Sequence, residues 1–72
     1  MEATEINHKI RIGKRIAELR KERGLSQTRL AQLTGFDRGY IEKIELGTFD
    51  IGIENLSKIS NALEVMIDFI PV

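Results

Sequence analysis

A chain of 72 residues without cysteine has room for one small domain, and neither disulfides nor a thiolate zinc site can brace its core, so association of two copies is the remaining common support. Eleven Lys/Arg against eleven Asp/Glu give no net charge, yet residues 1–43 hold ten Lys/Arg and six Asp/Glu (+4) while residues 44–72 hold one and five (−4). That gradient suits a surface with one side turned to phosphates, or a mixed solvated surface; one His, one Pro and no Trp leave a poor inventory for an enzyme.

Ile12, Ile16 and Leu19 recur at i, i+4 and i+7, which predicts a first helix over residues 8–23 with Lys14, Arg15, Glu18, Lys21 and Glu22 on its solvent side. Asn7 is its candidate N-cap and Gly24 its terminating glycine. Ser26 is the N-cap candidate for a second helix over 27–33, with Leu30, Ala31 and Leu33 as the buried stripe. Gly35 supplies a positive φ, and the turn is expected to leave no space for a Cβ there. Asp37 can cap a third helix over 38–46, anchored by Ile41 and Ile44 and ended by Gly47. Residues 47–52 read as a loop, and a fourth helix covers 53–63 with Ile53, Leu56, Ile59, Ala62 and Leu63 apolar. The run Val65–Ile70 is β-branched and aromatic without a 3.6 period and stops at Pro71, which predicts a strand, with a short fifth helix as the alternative.

Two short helices joined by a Gly-containing turn form a helix-turn-helix. The signal lies in the whole spacing, Gln27-x-x-Leu30-Ala31-x-x-Thr34-Gly35-Phe36-x-x-x-x-Ile41-x-x-Ile44-Glu45, since each small or apolar residue taken singly fits any core. Ala31 lets the second helix approach the third, and Ile41 and Ile44 hold the third so that its other face stays free. The run IGKRIAELRKERGLSQTRLAQLTGFDRGYIEKIELG followed by IENLSKISNAL resembles the XRE, or lambda-repressor-like, helix-turn-helix family over roughly residues 10–63.

That resemblance implies an all-α, lambda-repressor-like bundle of four to five short helices, with the third helix in the major groove of double-stranded DNA. It places the base-reading positions on Arg38, Gly39 and Lys43, where Arg38 or Lys43 can pair with guanine O6 and N7. Gly39 departs from the pattern, having no side chain to read with. Tyr40 reaches a thymine methyl or a phosphate, or else packs on a neighbouring helix. Gln27 corresponds to the family's phosphate contact at the start of the second helix, and Ser26, Arg29 and Thr48 are further backbone contacts or solvated surface. Glu42 either pairs with Arg38 or accepts from a cytosine N4 amine. Arg20 and Glu45 correspond to a semi-buried structural ion pair.

The tail departs from the family's usual ending, in which Gly stands at the Glu64 position and a fifth helix follows. A strand there needs a partner, so residues 64–72 are expected to serve as a dimerisation strand attached to a DNA-binding domain over 1–63. Val65, Ile67 and Phe69 would cover the helical cores in an antiparallel two-stranded ribbon between two copies, and Met66, Asp68 and Ile70 would face the other way. This ending resembles HipB-type antitoxins. The expectation is a homodimeric autorepressor on a palindromic operator, with a toxin-binding antitoxin or a protein-interaction module as alternatives. A basic face made by Gln27, Arg29, Arg38 and Lys43 favours DNA over a protein partner. His8 stands alone, so no metal, cofactor or catalytic group is expected. No apolar run of signal-peptide or membrane-spanning type occurs, which makes a cytoplasmic location the default.

Overall fold

The fold is seen in a computed structural model, which describes residues 7–68. Four helices follow one another: α1 (His8–Glu22), α2 (Gln27–Thr34), α3 (Arg38–Leu46) and α4 (Ile53–Ala62). All four expected helices form, with ends within one residue of those read from the sequence. The Asn7 side chain accepts from the Ile10 N–H at 3.2 Å and Ser26 Oγ from the Arg29 N–H at 3.0 Å, so two starts carry side-chain caps. Asp37 occupies the α3 N-cap in extended backbone, but its carboxylate makes no capping bond; its carbonyl accepts from Tyr40 and Ile41 instead.

All four helices end in the same way. Beyond each last turn the chain swings left-handed and two N–H groups return to helical carbonyls, as in Leu25 to Arg20 and Val65 to Ser60, both at 3.0 Å. Gly24, Gly35 and Gly47 supply the positive φ at three of these ends. At Gly35 the need is conformational only: no atom lies within 4 Å of an added Cβ, so the expected steric ban does not apply. Glu64 holds the fourth such position at φ 59, the one non-glycine positive φ among the described residues. A side chain there costs about 1 kcal/mol or more of backbone strain.

The core is Ile16, Leu30, Ala31, Ile41, Ile44, Ile59 and Leu63, drawn from every helix. α1 and α2 each pack on α3, and α2 also packs on α4. Leu33, expected on the buried stripe of α2, is instead 47% exposed, and the apolar Ile53 of α4 is 66% exposed. Leu33 falls about 160° round α2 from the buried Ala31, on the far side of Leu30, and Ile53 stands in the first turn of α4. Arg23 Nε donates to the Leu63 carbonyl at 2.9 Å, joining the ends of α1 and α4.

Two close approaches set how the helices cross. A Cβ on Gly13 would overlap the Ile44 carbonyl oxygen and stand 2.8 Å from that of Glu45, so α1 rests directly on the last turn of α3. Gly47 meets the Ile10 backbone in the same way, with φ 74 besides. The contact locks α3 from behind, leaving the face opposite Ile41 and Ile44 uncovered.

Among the described residues the expected C-terminal strand is not present. Residues 65–68 form neither strand nor fifth helix; Phe69 and Ile70 lie outside the described residues. The reason is local: the left-handed turn at Glu64 reverses the chain, and the Val65 N–H bonds back to Ser60, seating Val65 against the helical core with no neighbouring strand to pair with. Met66 and Ile67 are exposed, at 88% and 43%. Among the described residues no helix is long and apolar enough to cross a membrane.

Two substitutions test this packing by urea unfolding. Gly13→Ala should lose about 1–3 kcal/mol or more, because its new methyl meets backbone that cannot rotate away. Glu64→Gly should gain about 1 kcal/mol by relieving the left-handed turn.

Candidate nucleic-acid interface

At 100° per residue, Ile41 and Ile44 define the buried side of α3, and Gly39 falls almost opposite them, flanked by Arg38, Glu42 and Lys43. Gly39 and its three flanking positions are all exposed. Among the described residues, the side chains of Arg38, Glu42 and Lys43 have no hydrogen-bond or ion-pair partner, so of the two readings for Glu42 the pair with Arg38 does not form. Nothing lies within 4 Å of a Cβ on Gly39, so the middle of this face is a shallow notch between charged side chains. Side chains at 42 and 43 lean toward the N-terminus of the helix and thus border that notch.

Tyr40 sits at the edge of this face and is half-buried. Its ring makes edge-on contacts with Phe36 (4.9 Å between centroids) and Phe49 (5.3 Å), and its hydroxyl accepts from Asn55 Nδ2 at 2.9 Å. Of the two readings for Tyr40, packing on neighbouring elements is the one its ring makes; its hydroxyl hydrogen remains available to a ligand. An open depression of about 310 Å³, lined by Gly35, Phe36, Asp37, Tyr40 and Asn55, lies beside it. Lys58 Nζ stands 5.6 Å from the Phe36 ring centre, closing the aromatic row with a cation.

The start of α2 is the second part of the site. Its first-turn N–H groups have no helical acceptors, and only that of Arg29 is taken, by Ser26 Oγ. Free amides at a helix start, aided by the helix dipole, suit an anion. The Arg29 side chain is exposed and, among the described residues, donates only to Gln32 Oε1, at 3.3 Å. Thr48 lies elsewhere, beyond α3, where its hydroxyl and N–H both donate to the Lys43 carbonyl at 3.2 Å.

Beneath the start of α2 lies the ion pair expected from the sequence. Arg20 Nε donates to Glu45 Oε2 at 2.6 Å and Nη2 to Oε1 at 3.0 Å, with the two side chains 11% and 7% exposed. Arg20 Nη1 donates to the Leu25 carbonyl at 2.9 Å. The hydrogen bond to Glu45, with its charge, raises the Arg20 pKa above the ordinary guanidinium value despite the opposing effect of burial, so the cation persists at every pH where proteins fold. One member escaped the sequence reading: Gln27 Nε2 donates to Glu45 Oε1 at 3.0 Å. Glu45 sits 18 residues from Gln27, and no local spacing rule joins a helix start to another helix's last turn.

Comparison with known proteins follows the same outline. A helix-turn-helix domain family matches residues 13–68. The chain is 41% identical over 58 residues to the control protein C.MunI of Mycoplasma sp, spanning 79% of this chain and 78% of that protein. Other curated relatives are longer, and the chain spans about half their length. The restriction-modification controller C.AhdI from Aeromonas hydrophila superposes with a TM-score of 0.80 at 36% identity, over 85% of this chain and 92% of that one. SinR, a master regulator for biofilm formation solved in complex with DNA, superposes with a TM-score of 0.73 at 38% identity, over 76% and 89% of the two chains. The antitoxin alternative gains no support from these relatives.

Removing either partner of the buried pair strands the other charge. Glu45→Ala and Arg20→Ala should each cost about 3–5 kcal/mol, while the paired replacement Arg20→Met with Glu45→Leu should lose less than either single truncation. Unfolding midpoints of the three variants check this.

Proposed function

Because the chain belongs to the helix-turn-helix domain family, we propose that it is a sequence-specific DNA-binding transcriptional regulator that acts as a repressor and carries out no chemistry of its own. The observation that carries the reading is the face of α3. It is held rigidly from behind by α1, and it presents Arg38, Lys43 and the Gly39 notch with no protein partner among the described residues. A short helix so presented fits the major groove, where the donors of Arg38 and Lys43 meet guanine O6 and N7. Gly39 lets the helix backbone approach the base pairs, and Tyr40 contributes its hydroxyl from the edge of the face.

Gln27, Ser26 and Arg29 at the start of α2 serve the sugar–phosphate backbone, which fixes register without reading sequence. Thr48 would contact phosphate from the α3–α4 loop. Two relatives of known structure, a restriction-modification controller and a regulator solved with DNA, support a regulatory role.

A homodimer is the second element of the proposal. Small size limits the core, and Ile53, Met66 and Ile67 are apolar side chains left exposed on one copy. Two-fold symmetry would set two α3 helices about 34 Å apart and demand a palindromic operator. The cytoplasm is the compartment where such a regulator meets its DNA.

Selection of bound duplexes from a random pool should return an inverted repeat with half-sites about one helical turn apart. At ~150 mM salt, Arg38→Ala and Lys43→Ala should each weaken binding to that sequence and relax the preference at one base pair, by about 1–3 kcal/mol. Gln27→Ala should weaken binding evenly across sequences. Wild-type affinity in all three variants would refute the assignment of α3 and α2; low salt would hide the losses.

A further inference from the structure

We propose that Glu45 is a positioning residue for DNA binding: its buried carboxylate holds the Gln27 side chain at the start of α2, so the pair with Arg20 serves the interface as well as the fold. The inference rests on the DNA-binding reading above and deepens it.

The geometry is a closed loop of bonds around one helix start. Leu25 lies just before the α2 N-cap and Gln27 just after it. The Leu25 carbonyl accepts from Arg20 Nη1 at 2.9 Å, Arg20 grips Glu45 at 2.6 and 3.0 Å, and Glu45 Oε1 accepts from Gln27 Nε2 at 3.0 Å. The residues on both sides of Ser26 are thus tied to one carboxylate, Leu25 by its carbonyl through Arg20 and Gln27 directly by its side chain. That carboxylate is 7% exposed and held by two guanidinium nitrogens, so it has no room to swing away. Gln32, five residues after Gln27 on the same helix, is exposed, and among the described residues its side chain only accepts a 3.3 Å bond from Arg29.

Two consequences follow for an approaching phosphate. Gln27 has already lost its side-chain freedom, so one amide hydrogen is fixed on Glu45 and the other keeps a set direction beside the free N–H groups of the first turn. A bare carboxylate at this place would repel phosphate; the Arg20 cation neutralises it. Arg20 therefore acts through charge and Glu45 through direction, and neither needs to touch DNA.

The test is a double-mutant cycle on the full chain, read as affinity for the selected operator at ~150 mM salt. Glu45→Gln adds one unit of positive charge whether or not Gln27 is present, so that general effect cancels in the cycle. The proposal expects Glu45→Gln to weaken binding roughly 5–10-fold more in the wild-type background than in Gln27→Ala, the coupling typical of groups in one network. Equal fold-changes in the two backgrounds would overturn it, leaving the ion pair a purely structural one. A wild-type chain that selects no duplex would sink the DNA-binding reading and this inference together. Should Glu45→Gln fail to fold, side-chain amide relaxation in the wild-type protein decides. The Gln27 NH2 group should be rigid on the ps–ns scale beside a mobile Gln32, and equal mobility of the two would overturn the proposal.

Discussion

The guanidinium–carboxylate contact between Arg20 and Glu45 joins three of the four helices at one point. It leaves α1 through Arg20, enters α3 through Glu45, and reaches the start of α2 through Gln27 and the Leu25 carbonyl. A buried ion pair contributes little net stability compared with apolar residues of the same shape, since desolvation offsets its attraction. What it does contribute is direction. Apolar contacts among Ile16, Leu30, Ile41 and Ile44 hold the helices together but tolerate sliding; a bidentate pair with fixed donor angles does not. Gly13 adds the complementary restraint by letting the α1 backbone lie on the carbonyls of Ile44 and Glu45.

The account of function follows from that rigidity. α3 is short, at nine residues, and would not hold its shape alone. Clamped along Ile41 and Ile44 and pressed by α1 at its last turn, it can present Arg38 and Lys43 at fixed separation. Pre-ordering of this kind reduces the entropy lost on binding, which matters for a surface whose contacts are few and polar. The central glycine makes the surface concave where other helices would carry a side chain, and the aromatic row of Phe36, Tyr40 and Phe49 closes one edge.

Much of this was legible in the sequence because the decisive signals are local. Apolar periodicity, the N-caps Asn7 and Ser26, and the glycines at 24, 35 and 47 set the helix ends within a residue. The exposed face of α3 followed from the positions of Ile41 and Ile44, and the Arg20–Glu45 pair from family resemblance. What escaped depends on distant packing. Leu33 looks like a core residue by spacing, yet the seam with α3 passes it by; Gly13 looks like an ordinary helical glycine until α3 is laid on it. The Gln27–Glu45 bond joins residues on different helices. The tail misled for a different reason: β-branched composition in Val65–Ile70 favours a strand, but Glu64 in a left-handed turn sends the Val65 N–H back to α4. Composition could not reveal that return.

The central claim is that the Arg38–Lys43 face of α3 lies in the major groove. Methylation interference on the selected operator tests it most directly, because dimethyl sulfate marks guanine N7 in the major groove and adenine N3 in the minor groove. The account predicts that N7 methylation of specific guanines in each half-site blocks wild-type binding, and that Arg38→Ala becomes indifferent to one of them. Interference confined to adenine N3, or a guanine pattern unchanged by Arg38→Ala and Lys43→Ala, would contradict it.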